Sequence, residues 1–505
     1  MARPAVLNTL SLAISSGLNF ISLLLWVRLL SPGEFGQFTL ITTTTLLINA
    51  ILFEWERIVS ARTLYSSTSA TLIDPRRADA LFTIVGGLIL ALGGVTAILS
   101  ISGQTIFGMA PDWLWMLFVF LVSEVALTQL NVISRARQAA WHTFWVIVTR
   151  SALSLAIGVT LVLGYRLGLA GVLLGLVIGQ SAAVIGGVVT DAVWRRLRLR
   201  GTRREDRAIM GGMLRLGAPL MLSSGLSYGV GVLDRYQVEH ILGTSSVAYY
   251  AAPADLLQKT LGFAMQAVNI TMYPAMVRAY EDNGPDAARV LLEDAAVLYW
   301  AMCLPILIAA TVLAGPVSHL LLGARLAAQS APLLPLVTAA ALLRLLTIYH
   351  VQIAFQLTRH MRLLTVAPTV AIAIFVLLGA ASLHRFGLVG IAGVSLLAQA
   401  SGYAISATLA RRTFGMRLLR RDNVKVLVAG AAMAAAMLPF AHVTGVAMTL
   451  VALIAGGSVY AGAILLLRLD RVRAITPGAA RAGRTGRAPW RATAAACRPA
   501  RRRRR

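Results

Sequence analysis

The stretch YGVGVLDRYQVEHILG, residues 228–243, begins apolar and glycine-rich and then carries Asp234, Arg235 and Glu239 within six residues. Three more charges stand isolated in long apolar runs: Glu124 in MLFVFLVSEVALTQLNV, Lys259 four residues after Asp255, and Arg344 in AAALLRLLTIYHVQIAF. Groups this isolated suit electrostatic binding rather than covalent chemistry. Lysine and arginine recognise phosphate, and arginine can do so with two parallel hydrogen bonds. Glu124 has two readings, a counter-charge to Arg344 or a proton carrier. Lys259 also has two, a phosphate contact or a local pair with Asp255 on the same helix face. Arg57, in FEWERIV, is a candidate to receive an incoming anion, and Glu54 and Glu56 beside it offer a purely structural pairing. The amides Gln129, Asn131, Gln266, Asn269, Gln352 and Gln356 suit a hydroxyl-rich ligand, or simply hold helices together.

Other patterns carry less. GLSYG, residues 225–229, matches the nucleophile-elbow spacing, but that device needs a strand–turn–helix in a soluble sheet. It lies in an apolar run here, as does GVLLGLVIG, residues 171–179, and both read as helix-packing surfaces. The seven histidines have no metal spacing, and no P-loop or dinucleotide fingerprint occurs. No cofactor, ATP hydrolysis or enzymatic activity is expected. The two cysteines, Cys303 and Cys497, imply no disulfide framework.

The elements that position these charges must cross a membrane. Of 505 residues, 58% are hydrophobic and only 13% charged, with a mean hydropathy of +0.75. Soluble domains carry about 25% charged residues. Runs of about 20 apolar residues span the hydrocarbon as helix. Fourteen are expected, at 5–27, 37–58, 81–101, 113–134, 143–164, 168–190, 214–238, 247–272, 295–320, 331–356, 363–383, 387–409, 424–441 and 446–467. The first is too long for a signal-peptide core and is expected to be retained.

Arginine placement orients them, because basic residues concentrate in cytoplasmic connections. With the N-terminus inside, the inner segments hold Arg57, Arg62, Arg76, Arg77, Arg135, Arg137, RRLRLRGTRREDR at 195–207, Arg278, Arg289, Arg359, Arg362 and RRTFGMRLLRRDNVK at 411–425. The outer connections hold Arg28, Arg166, Arg325 and Arg385. Both termini are therefore expected in the cytoplasm. This distribution accounts for most of the net charge of +26 without nucleic acid. In the tail 469–505, the stretch from residue 471 onward has twelve arginines and no acid. It is expected to be a disordered cytoplasmic segment, either solvated or touching anionic headgroups, where each basic residue contributes about 1 kcal/mol.

The chain reads as two related halves. LLSPGEFGQF (29–38) joins spans one and two, and ILGTSSVAYY (241–250) joins spans seven and eight, each a small-residue turn followed by two aromatics. This gives a first lobe at 1–192, a basic connector at 193–213, a second lobe at 214–410, two extra spans within 411–468, and the tail. Parallel repeats of this kind put a substrate site at midplane between the halves.

VRLLSPGEFGQFTL, LRLGAPLMLSSGLSYGVGVLDRYQVEHILGTSSVAYYAAPADL and NITMYPAMVRAY resemble the polysaccharide transporter family, the Wzx-type flippases of the multidrug/oligosaccharidyl-lipid/polysaccharide (MOP) superfamily. The likeness covers roughly residues 5–470; the arginine-rich tail departs from it. It implies an all-α polytopic membrane protein, two six-helix lobes around a central cavity and two extra C-terminal helices. It implies a flippase in the inner membrane that moves undecaprenyl-pyrophosphate-linked oligosaccharide by alternating access. A polysaccharide polymerase and glycosyltransferases would be its partners. On that reading Lys259, Arg344, Glu124 and Arg57 are the substrate-binding candidates. The alternatives are a multidrug/cation antiporter of the same superfamily, which would favour an acid in the first span where 5–27 has none, and a membrane polymerase or glycosyltransferase, for which the outer connections are short.

A gate is also expected where the question began. Arg235 can reach Glu239 one turn on, which leaves Asp234 without a local partner. The repeat makes Arg28, at the end of span one, its nearest counterpart, about 9 Å away along the axis at 1.5 Å per residue. The readings are an Asp234–Arg28 pair that closes the outer side, supported by Arg235 and Glu239, or charges that simply meet water and headgroups.

Overall fold

A computed structural model describes residues 2–191 and 206–467, apart from 64, 67–68, 74, 104, 106–107, 137–138, 418–419 and 444. The tail and most of the basic connector lie outside the described residues, as does the side chain of Arg57. The first half runs α1 (Ala2–Leu29), α2 (Pro32–Leu52), α3 (Glu54–Thr63), a small antiparallel pair of β1 (Tyr65–Ser66) and β2 (Ser69–Ile73), α4 (Pro75–Ile101), α5 (Pro111–Ala136), α6 (Ala140–Val159) and α7 (Gly168–Thr190). The second runs α8 (Arg207–Leu242), α9 (Thr244–Asn283), α10 (Pro285–Val312), α11 (Ala314–Leu322), α12 (Ala324–Ser330), α13 (Leu334–Leu346), α14 (Gln352–Leu357) and α15 (Val366–Phe414). Helices α16 (Arg421–Met437) and α17 (Val446–Leu466) follow.

Helix meets each of the fourteen expected spans. Eleven described segments are long and apolar enough to cross a membrane. One of them, Met361–Phe414, is two spans: Gly387 breaks α15 with φ 57° and ψ −142°. The backbone and side chain of Ala367 lie against Gly402, so the two parts run back along each other. Helices α8 and α9, at 36 and 40 residues, are also long enough to span.

Three spans differ in detail. Span two ends at Leu52 rather than 58: the chain turns at Phe53, and Glu54 and Glu56 open the short polar helix α3. Two acids two residues apart are costly in hydrocarbon, so a separate helix begins where the apolar run stops. Span nine breaks at Leu313 between α10 and α11. Span ten holds a π-helical turn, Thr347–Val351, between α13 and α14.

Lipid is as apolar as leucine, so packing here depends on close contact more than on exclusion of water. Gly175 lies so near Gly158 that a Cβ would stand 2.6 Å from its backbone, and at Gly179 a Cβ would stand 2.3 Å from the Ser154 hydroxyl. The GVLLGLVIG stretch is thus the face of α7 that meets α6. Ser15 and Ser151 bridge α1 to α6 at 2.7 Å. In the second half α9 packs on α10, and α15 on α8 and α13; the halves meet where α2 runs along α8 and α9. The two extra helices stand against α10.

The two repeat-related connections meet each other. Ser31 caps α2 in a capping box with Glu34, and Pro32 opens the helix. A Glu34 carboxylate oxygen also accepts the backbone N–H of Leu169 at 3.3 Å, above Gly168, whose φ of +52° glycine accommodates. Gly36 then touches the start of α9, where a Cβ would fall 2.0 Å from the Thr244 carbonyl oxygen. SPGEFG and GTSS therefore close one end of the molecule.

Two predictions follow from these contacts. Gly179→Ala should destabilise the protein in detergent by about 1–3 kcal/mol through overpacking, whereas Gly186→Ala, with open space around it, should be neutral or gain about 0.5–1 kcal/mol from lost chain freedom; thermal unfolding of both variants checks the contrast. A Cβ on Gly33 would lie 3.5 Å from the Ser245 hydroxyl. Mild oxidation of the Gly33→Cys/Ser245→Cys protein should remove both new thiols from maleimide labelling, and reductant should restore them. Full labelling after oxidation would show that the loops stand apart.

Candidate functional site

The charges of α8 form a buried network with α9. Asp234 and Arg235 are both buried. The Tyr250 hydroxyl donates to Asp234 at 2.8 Å, and the Arg235 backbone N–H donates to the same carboxylate at 2.8 Å. The Arg235 guanidinium forms an ion pair with Asp255 and reaches the Thr43 hydroxyl of α2 at 3.5 Å. Thr44 and the Tyr236 hydroxyl share a second bridge at 2.6 Å, so α2 and α8 are tied across the two halves. A buried ion pair persists when its remaining hydrogen-bonding capacity is met, and Tyr250 and Thr43 help meet it here.

This corrects the expected gate pairings. Arg28 donates to the backbone carbonyl of Leu320 in α11, while Asp234 is held from within its own half. Glu239 lies against Gly108, where a Cβ would stand 2.2 Å from its carboxylate, and Arg235 turns to Asp255. The reason is depth: on this helix Asp234 and Arg235 face the packed interior between α8 and α9, and Arg28 ends at the rim.

Glu124 and Arg344 do not pair either. Gln180 donates to Glu124 at 2.6 Å, and the Arg150 guanidinium stands 3.6 Å from the same carboxylate. Gln180 is held in turn by Ser123. Arg150, on α6, was not among the candidate site residues, although its position within an apolar run, VIVTRSALSL, is the signal that identified the others. Lys259 is exposed, yet it feels the charges of Asp255 and Arg235 in its own half and Arg150 in the other.

Arg344 stacks over Gly231, where a Cβ would lie 3.0 Å from its guanidinium. It lines a cleft with Asp234, Tyr250, Gln258, Ser395 and Gln399, bordered by small residues of α9 and α13. Neither of these amides was among those singled out in the sequence. Of those that were, Gln129 is buried and Gln352 donates to the Leu364 carbonyl. Glu56, on α3 outside the spans, is buried with neither carboxylate oxygen hydrogen-bonded, and burial pushes its carboxyl up to about 8.

The arrangement can hold an anion between lobes and a polar group in the second half, and it offers no nucleophile–base pair. The described fold is similar to solved transporters. The lipid II flippase MurJ in an inward closed conformation superposes with a TM-score of 0.71 at 13% identity, over 92% of this chain and all of that one. A multidrug resistance MATE transporter of the MOP superfamily, inward-facing, gives 0.61 at 14% identity over 81% of this chain and 98% of its own. An outward-facing MATE transporter gives 0.53 at 14% identity, over 81% of this chain and 95% of its own. No curated protein matches the chain. The profile of one family, described as polysaccharide biosynthesis protein, matches residues 25–331. The chain is a multi-pass membrane protein that belongs to this polysaccharide biosynthesis protein family.

Proposed function

We propose that the protein flips a lipid-linked oligosaccharide, of the undecaprenyl-pyrophosphate class, from the inner to the outer leaflet by alternating access. One observation supports this above the others: two cations from opposite halves, Arg150 and Lys259, stand near enough to feel each other's charge. Arg150 has Glu124 as a partner, and Asp255 near Lys259 is already engaged by Arg235. Lys259 makes no ion pair among the described residues. A pyrophosphate bridging Arg150 and Lys259 would neutralise the repulsion between these two cations. Such a bridge couples binding to closure, because the anion's affinity rises as the halves approach, and a ligand shifts an equilibrium only by its differential affinity for the two states.

The orientation from arginine placement puts the SPGEFG–GTSS contact on the outer side, with both termini in the cytoplasm of the inner-membrane protein. A drug or cation antiporter is the less favoured reading, since α1 carries no acid.

Replacing Arg150 and Lys259 together with glutamine should lower glycan export about tenfold or more, equivalent to about 1.4 kcal/mol or more of lost binding, with membrane levels unchanged. Lys259→Glu should be worse than Lys259→Gln. Normal export by the double variant would overturn the assignment. Cellular surface glycan and flipping of a fluorescent lipid-linked oligosaccharide in proteoliposomes provide the two readouts.

A further inference from the structure

The halves also meet at the end opposite SPGEFG and GTSS. From its cap at Ser31, α2 runs roughly 30 Å to Leu52, at about 1.5 Å per residue. There the chain turns into α3, which packs against α8, a helix of the other half. A Cβ on Gly217 of α8 would stand 2.8 Å from the Trp55 ring. Ile209, Met210 and Met213 of α8 share an apolar cluster with Trp55 and Val59 of α3. Arginine placement puts this contact on the cytoplasmic side.

Within that packing lies a group that the anion bridge does not use. Glu56 follows Trp55 on α3 and is completely buried, with neither carboxylate oxygen hydrogen-bonded. Ser60, one turn on, is buried with its hydroxyl also unpartnered. Each buried polar group left without a partner costs about 1–3 kcal/mol. An ionised carboxylate costs far more, and takes up a proton instead. Neighbouring charges do not relieve Glu56. Glu54 shares its helix, Arg76, Arg77 and Asp79 open α4, Arg135 stands in the last turn of α5, and Arg207 and Arg215 stand in the first turns of α8. These arginines are exposed, and Glu124, deeper on α5, is held by Gln180 and Arg150. No charge on α2 lies at this end. The side chains of Arg57, Arg62 and Tyr65 lie outside the described residues. Burial alone pushes the Glu56 carboxyl up to about 8, whereas a glutamate in water titrates near about 4.3.

We propose that Glu56 is a proton-operated latch on the inner side: the neutral carboxyl lets α3 close on α8, and loss of its proton to water holds them apart. This goes beyond the choice of cargo and needs only that the halves separate. The closed form holds a proton that the open form releases. Closure is therefore fully favoured below about pH 4.3, and that advantage is lost as pH rises through about 8. Opening also hydrates the Ser60 hydroxyl, so the contact is one that can be broken and remade.

The test uses the full-length protein in nanodiscs, with Cys303→Ala and Cys497→Ser removing the native thiols. Nitroxides on Val189→Cys of α7 and Arg278→Cys of α9, both exposed positions, report the separation of the halves by electron spin resonance. The closed-to-open ratio should fall about tenfold or more between about pH 6 and pH 8. The infrared carboxyl band that Glu56→Gln removes should fade over the same range. Glu56→Gln and Glu56→Leu should stay closed at both pH values. An unchanged pH response in both variants, the opposite response in the parent protein, or one separation at every pH would overturn the latch. A prenyl pyrophosphate supplies a separate arm. A separation that responds to it and not to pH would sink the latch and spare the flippase reading, and one that responds to pH and not to it would do the reverse.

Discussion

A charge inside a hydrocarbon slab must be paired or must face water, and this constraint orders the whole second half of the molecule. Placing one at the bilayer centre costs about 2.5–3.5 kcal/mol on insertion scales. Helices α8 and α9, each long enough to span, carry Asp234, Arg235, Asp255 and Lys259. They sit among spans because the charges face each other: Arg235 on Asp255, Tyr250 on Asp234. Once those pairs are made, α8 and α9 must lie side by side with these faces inward. Their outward faces then present the apolar residues to lipid, and the ends of both helices are fixed against α2.

That fixation links the network to the closed end. Arg235 reaches Thr43, and Tyr236 reaches Thr44, both on α2. Two turns earlier on α2, Gly36 touches Thr244 at the start of α9. The same helix pair is therefore joined by hydrogen bonds at depth and by backbone contact at the rim. Separating the halves at this end requires the rim contact and the two hydroxyl bridges to break together. The Arg235–Asp255 and Asp234–Tyr250 pairs lie within one half and can survive that motion. Pairs that persist through a rigid-body rotation support the moving part, and pairs that cross it set the threshold for the motion.

Much of the fold was legible because membrane helices are written in long apolar runs. The boundary errors fall where hydropathy and backbone part company. Residues 53–58 are still partly apolar, with Phe53, Trp55 and Ile58, yet Glu54 and Glu56 start a new helix. At Leu313 and at residues 347–351 the sequence stays apolar while the backbone breaks or widens, and no composition signal marks it. The isolated charges were legible as types, but their partners were not. Glu124 meets Arg150 and Gln180 because α5 packs against α7 and α6, a relation that periodicity along one helix does not contain. Arg150 stands alone in an apolar run as Lys259 and Arg344 do, and its partner Glu124 comes from another helix. Gln258 and Gln399 are more than a hundred residues apart in the chain and became a pair only through the fold.

The two lobes descend from the same pattern, yet their polar interiors differ. In the first half Glu124 is held by an amide and an arginine, and α6 and α7 meet through a closely packed glycine face. The second half gathers Asp234, Arg235 and Arg344 around a cleft, and its helices are longer and more interrupted. A lobe packed by small residues behaves as a rigid wall, since close backbone contact leaves few alternative arrangements. A lobe with a polar cleft and a π turn one turn beyond Arg344 has the irregular backbone that membrane proteins tolerate where it lines a cavity. The asymmetry assigns the halves different work: the first supplies a firm surface and one cation, and the second carries the groups able to recognise a polar cargo.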